Sequence, residues 1–193
     1  MKSDTPSHYY DVSWYGAHAR SMFGQEADLC GIEPRWVDGG KPITNWNPGI
    51  SFLVRGKHAQ DFLHNVVSWP IVSDRLKGLI EEAGLTGVTF HPIQTSHVSG
   101  KDIGRYWYMN VLGIDGALNL DRSTYFMGDA GGLLSEPVLT MLVKPVLLRS
   151  GIGGRDAFRV SEFSPPVFVS SRFRDVYECN GCSGAVFREV LVT

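Results

Sequence analysis

Six histidines and three cysteines are the side chains of this sequence best suited to hold a metal or attack a substrate. Their spacing supports neither. His8, His18, His58, His64, His91 and His97 contain no i, i+4 pair of the kind that grips zinc from one helix face. Cys179-Asn180-Gly181-Cys182 matches C-x-x-C, but zinc would need two further thiolate or imidazole ligands nearby. With Cys30 the cysteine count is odd, which does not suit a disulfide scaffold. Cys182 reads as a small buried hydrophobe. Gly151-Ile152-Gly153-Gly154 lacks the Lys-Ser/Thr of a phosphate loop and the spacing of a dinucleotide loop, and no G-x-S-x-G elbow is present. Asp115, Asn119 and Asp121 suggest calcium, yet the glycine and closing glutamate of an EF-hand loop are missing. No catalytic, metal or cofactor site is assigned. Two alternatives stay open: a small enzyme whose carboxylates or histidines meet only in the fold, and a zinc-stabilised interaction module built on Cys179 and Cys182.

Composition narrows the partners. A chain of 193 residues can enclose one substantial core or two small lobes, and 43% hydrophobic with 20% charged residues is ordinary for a globular protein. A net charge of −2 argues against direct nucleic-acid binding through a basic surface. No apolar run approaches 18 residues, so no membrane partner is expected. Met1-Lys2-Ser3-Asp4-Thr5-Pro6 lacks the apolar core of a signal peptide, which makes a cytoplasmic location the expectation.

The elements that must position any site are organised around a stretch present twice. Setting Ser73 on Ser170 (170 − 73 = 97) aligns residues 70–93 with 167–190 without a gap. Seven of the 24 positions are identical, where about one or two are expected from ordinary usage. They include Ser73/Ser170, Arg75/Arg172, Gly84/Gly181 and Gly87/Gly184. Each copy reads as strand, short helix, strand. The serines stand as N-caps, and Leu76, Leu79, Ile80 and Ala83 recur at the i, i+3, i+4, i+7 spacing of one buried stripe. Phe173, Val176 and Tyr177 repeat it, broken only at Asn180. Gly84 and Gly181 stand at left-handed C-terminal caps. Arg75 and Arg172 fall in the first turn, where a cation opposes the helix dipole by about 0.3–1 kcal/mol. A carboxylate or backbone carbonyls of the same chain are expected to compensate.

Elsewhere strands predominate: His8–Tyr15, Ile50–Arg55, Arg105–Leu112, Leu118–Ser123 and Ala157–Phe163, with a short helix expected somewhere in Gly16–Leu29. Residues 31–49 form a long Gly/Pro-rich loop carrying Trp36 and Trp46, and Gly128–Gly132 another. The expected fold is α+β, mostly antiparallel sheet, with two related strand-helix-strand units (70–93 and 167–190). It forms a single domain over 1–193, whose halves are about 1–97 and 98–193. Large aromatics on such a loop serve either as anchors packed down on the body or as interface hot spots.

The strand-Ser-x-Arg-helix-Gly-x-x-Gly-strand unit resembles the family eleven immunity proteins of bacterial polymorphic toxin systems. Val72–Lys77 leading to Gly84–Phe90, the strands Tyr106–Val111 and Leu118–Tyr125, and Phe158–Phe163 followed by Val169–Phe187 carry the likeness, over about Ile50 to Val190. Cys179 and Cys182 depart from it. The resemblance implies a non-enzymatic cytoplasmic protein, needing no cofactor, that binds and blocks a cognate toxin in contact-dependent competition; a nuclease is one candidate. The toxin-facing patch is expected at Trp36, Asp38 and Trp46 on the 31–49 loop, with Asp129 on the second loop as the next choice.

Overall fold

The computed structural model describes residues 6–14, 21–33, 40–128 and 138–193. These form strands β1 (Tyr9–Ser13), β2 (Phe23–Asp28), β3 (Ser51–Arg55), β4 (Phe62–Asn65) and β5 (Ile71–Ser73), then helix α1 (Asp74–Glu82) and strands β6 (Val88–His97) and β7 (Tyr106–Val111). There follow β8 (Gly113–Ile114), β9 (Thr124–Gly128), β10 (Val138–Lys144), β11 (Val146–Leu147) and α2 (Arg149–Ile152). The chain ends with β12 (Ala157–Val160), β13 (Phe163–Ser170), α3 (Ser171–Cys179) and β14 (Val186–Val192). The protein is sheet-rich with few helices, compatible with α+β.

Two six-stranded assemblies make up the body. One is a closed barrel, running β2-β4-β5-β7-β6-β3 and back to β2. Its β2–β4 and β6–β3 contacts are parallel and those between β4, β5, β7 and β6 antiparallel. The other is a sheet in the order β8-β12-β13-β1-β14-β11. It too has parallel outer pairs, β8–β12 and β14–β11, around antiparallel inner ones. The barrel closes through the antiparallel β2–β3 pair, whereas the chain after β8 meets β11 through the bridge Leu118↔Leu147 and the backbone bonds Asn119 N to Val146 O and Leu148 N to Ala117 O on either side of it. Between β8 and β11 the chain departs as the antiparallel ribbon β9–β10. Chain order and spatial order differ. β1 lies inside the second sheet, between β13 and β14, while β7 lies between β5 and β6 of the barrel.

Helices α1 and α3 form for the same local reason. Ser73 Oγ accepts from Leu76 N at 3.1 Å and Ser170 Oγ from Phe173 N at 3.2 Å, each satisfying an otherwise orphan donor. Leu76 and Ile80 of α1, and Phe173 and Tyr177 of α3, are buried in one shared cluster with Phe62, Val72, Val111 and Val169. Each such side chain adds about 2 kcal/mol by leaving water. Asn180 breaks the apolar stripe because it caps α3, its amide donating to Val176 O at 2.8 Å. The barrel interior, with Phe52, Trp69 and Tyr108, forms a second cluster. The second sheet curls around a third, with Tyr9, Phe158 and Phe168.

Two expectations are corrected. The short helix expected somewhere in Gly16–Leu29 is not among them: Phe23–Asp28 is a strand, with both its edges taken by β3 and β4, and residues 15–20 lie outside the described ones. Leu118–Ser123 is a turn after its first residue. Asn119 O accepts from Ser123 N and Ser123 Oγ, and Asn119 Oδ1 accepts from Arg122 N, a local arrangement that competes with strand pairing. Ala157–Phe163 breaks at a turn over Ser161 and Glu162, so that Val160 pairs with Phe163 across a hairpin.

Glycine is required where the units touch. Gly87 has φ +94° and a Cβ there would lie 1.8 Å from Ala157 O; Gly184 has φ +99° and would meet Phe62 O at 2.2 Å. Gly84, at φ +62°, faces open space. Gly87→Ala is expected to cost roughly 3 kcal/mol or more in urea denaturation and Gly84→Ala about 1 kcal/mol. Equal costs would show that the close approach to Ala157 is unimportant.

Candidate interaction surface and the carboxylate clamps

The repeated serines and arginines converge on two carboxylates. Asp61 Oδ1 accepts from Ser73 Oγ at 2.8 Å, and Arg75 Nη1 donates to Asp61 Oδ2 at 3.2 Å. Asp156 Oδ1 accepts from Ser170 Oγ at 2.8 Å, and Arg172 Nη1 donates to Asp156 Oδ2 at 3.0 Å. The remaining donors come from the other unit. Ser183 N reaches Asp61 Oδ2 at 3.0 Å and Thr86 N reaches Asp156 Oδ2 at 3.1 Å. The guanidinium groups cross over as well. Arg75 Nη2 donates to Asn180 O at the end of α3, and Arg172 Nη2 donates to Ala83 O at the end of α1. Each arginine thus meets a carboxylate beside its own helix and an orphan carbonyl at the C-terminus of the other, which offsets the dipole penalty of its position. Gly84 and Gly181 follow those carbonyls with φ of +62° and +60°.

Asp61 and Asp156 were not singled out in the sequence. They stand 12 and 14 residues ahead of their serines, so a gapless alignment does not bring them together. The available signal was an aspartate directly before a short apolar strand in both halves, Asp61-Phe62-Leu63 and Asp156-Ala157-Phe158.

The expected partner-facing residues are distributed unevenly. Trp36, Asp38 and Asp129 lie outside the described residues. Trp46 is half-buried, stacked on Tyr108 with ring centroids 5.3 Å apart and planes 5° from parallel, and 4.9 Å from the His91 ring. Its indole N–H donates to Pro92 O at 2.7 Å. This is the packing of a loop anchor on the barrel. Burial lowers the His91 pKa.

On the face of α1, Asp74 accepts from Trp107 Nε1 at 2.7 Å and from Arg105 Nη2 at 2.9 Å. The Trp107 hydrogen bond first, and then Arg105, hold its carboxyl below the usual carboxylate range. Cys182 packs against the cluster shared by the two helices, and burial pushes its thiol up to about 11. Cys30 and Cys179 are exposed. Among the described residues no three His, Cys, Asp or Glu side chains are grouped to hold a metal ion, and no helix is long and apolar enough to cross a membrane.

Two outcomes test this geometry. Asp156, with a side chain 1% exposed, leaves Arg172, Ser170 and Thr86 unmatched when removed, so Asp156→Ala is expected to cost roughly 3–5 kcal/mol in chemical denaturation. Arg172 is half exposed, and Arg172→Ala is expected to cost only about 1 kcal/mol. A thiol reagent at pH 8 should modify Cys30 and Cys179 quickly and Cys182 slowly; equally rapid reaction of Cys182 in the folded protein would contradict its packing.

Comparison with known proteins adds one finding. The sequence model of the family described as "Immunity protein family (Imm11)" matches residues 9–192. No curated protein matches the chain.

Proposed function

The chain belongs to the Imm11 immunity protein family, and from that membership we propose that it binds a cognate bacterial toxin and neutralises it by occupancy, without catalysis. The observation that carries this reading is the extent of the match, which takes in both six-stranded assemblies from β1 to β14. The polymorphic-toxin setting, the cytoplasmic location and a nuclease as the toxin belong to the same proposal. The clamps support a binding role: their aspartates, arginines and serines are spent on holding the two units together rather than on facing a substrate.

The two strand-helix-strand units are proposed to be copies of one ancestral element. Support comes from the common order and sense of strand pairing, the two Ser-capped helices and the matched aspartate clamps. The toxin-facing patch is proposed on the 31–49 loop through Trp36 and Asp38, with Asp129 beyond β9 as a further contact. Trp46 secures the described part of that loop on the barrel.

Co-expression with the toxin encoded beside it tests the function directly. Cells carrying both genes should survive and yield a one-to-one complex. Equal killing with and without this protein, and no complex, would overturn the reading. Within it, Trp36→Ala is expected to weaken the complex by about 2 kcal/mol or more at unchanged thermal stability. Loss of stability with unaltered affinity would make Trp36 an anchor instead.

A further inference from the structure

The two assemblies differ at the outer edge of one equivalent strand. Backbone groups of a strand turn alternately to its two sides, so every second residue of β14 faces away from β1. Thr193, just past β14, fixes the phase. Its N–H donates to Leu147 O at 2.8 Å and its carbonyl accepts from Arg149 N at 2.9 Å, and Leu191 pairs with Val146 of β11. The next residues back along that edge are Glu189 and Phe187. Among the described residues, no group bonds to the outward N–H or carbonyl of either. Pro145 is the cause. Standing between β10 and β11, it lacks the N–H that would carry the parallel ladder on from Leu147 to Glu189 O. β10 instead pairs with β9, and a groove of about 190 Å³ lies between residues 142–145 and residues 188–191.

The barrel guards the same edge. Pro92 stands on β6 where Glu189 stands on β14 (189 − 92 = 97). Pro92 has no N–H to leave unpaired, and its carbonyl accepts from Trp46 Nε1 at 2.7 Å. Proline and a covering loop are two of the means by which a sheet edge is kept from accepting a further strand. The second sheet has neither at this register. Glu189 keeps its N–H, and its side chain turns to His8 at 2.6 Å.

The unpaired groups are backbone at strand spacing, and what complements them is another extended backbone. The groove limits its size. β10 stands beside the edge, so a second copy meeting it edge to edge would bring its own ribbon into the same place, whereas one extended segment enters alone. Val143 and Leu191, 54% and 51% exposed, border the groove, which suits an apolar side chain on that segment.

We propose that an extended segment of the toxin adds to β14 at residues 187–189, the edge that Pro92 and Trp46 close on the barrel. The proposal rests on the immunity reading and names a contact separate from the 31–49 loop.

The experiment measures affinity for the purified toxin encoded beside this gene by calorimetry, using wild type, Glu189→Pro and Glu189→Gln, with the melting temperature of each. Glu189→Pro removes the N–H and copies the residue that the barrel carries at this register; Glu189→Gln keeps the N–H and removes only the charge. The expected result is at least a roughly 30-fold loss for Glu189→Pro and less than about threefold for Glu189→Gln. Glu189→Pro within about threefold of wild type, or an equal loss in Glu189→Gln, would overturn the proposal. If Glu189→Pro melts well below wild type, amide hydrogen exchange of the wild-type chain decides instead. The Phe187 and Glu189 N–H groups should exchange at least about tenfold more slowly in the complex than in the free protein, and unchanged rates would overturn the proposal. If both are already protected in the free protein and gel filtration shows a dimer, the edge belongs to a second copy and the proposal falls. If wild type itself does not bind the toxin, the immunity reading fails and this inference with it; if wild type and Glu189→Pro bind equally, only the inference fails.

Discussion

A carboxylate sealed from water must be surrounded by donors, and Asp61 and Asp156 collect theirs from both units of the chain. This requirement fixes much of the remainder. Thr86 and Ser183 must present their N–H groups at the carboxylates. The chain beyond them must then pass so close to Ala157 O and Phe62 O that only glycine fits at Gly87 and Gly184. The helices are thereby drawn against each other over Leu76, Ile80, Phe173 and Tyr177. Neither unit completes its own hydrogen bonding, so the two are held as one body by polar reciprocity at the rim and apolar contact at the centre.

Residues acting over short distances were legible in the sequence. Ser73 and Ser170 cap their helices, the apolar stripes face the core, and Gly84 and Gly181 take positive φ, because each depends on neighbours within about one helical turn. The position of Arg75 and Arg172 announced a compensating partner, but the identity of that partner depended on pairing β4 with β5 and β12 with β13. Leu118–Ser123 alternates like a strand and is instead a turn, because Asn119 satisfies the local N–H groups before a neighbouring strand can. Trp46 could not be placed from its loop composition. Its partners Tyr108 and Pro92 lie far along the chain, and stacking rather than spacing brings them together.

The two assemblies share a plan of strand pairing and differ in how they end. The barrel is sealed by five-residue pairing of β2 with β3, whereas the second sheet has a shorter contact around Leu118↔Leu147 and sends out a ribbon between β8 and β11. On that ribbon Phe126 pairs with Met141, both more than half exposed. Leu139 and Leu142 of the same ribbon pack against the third cluster, so its inner side belongs to the core and only its outer side, with Phe126 and Met141, is open to change.

The placement of β1 has a consequence for how the protein comes into being. Tyr9–Ser13 is made long before both of its strand neighbours, β13 and β14. It must therefore wait, unpaired, while the intervening chain is synthesised, and the central β13-β1-β14 array assembles only once β14 is available. The barrel, whose strands all lie between β2 and β7, has no such wait. Closure of the second sheet is thus an event of high contact order, governed by the arrival of its latest strand rather than by the speed of its early ones.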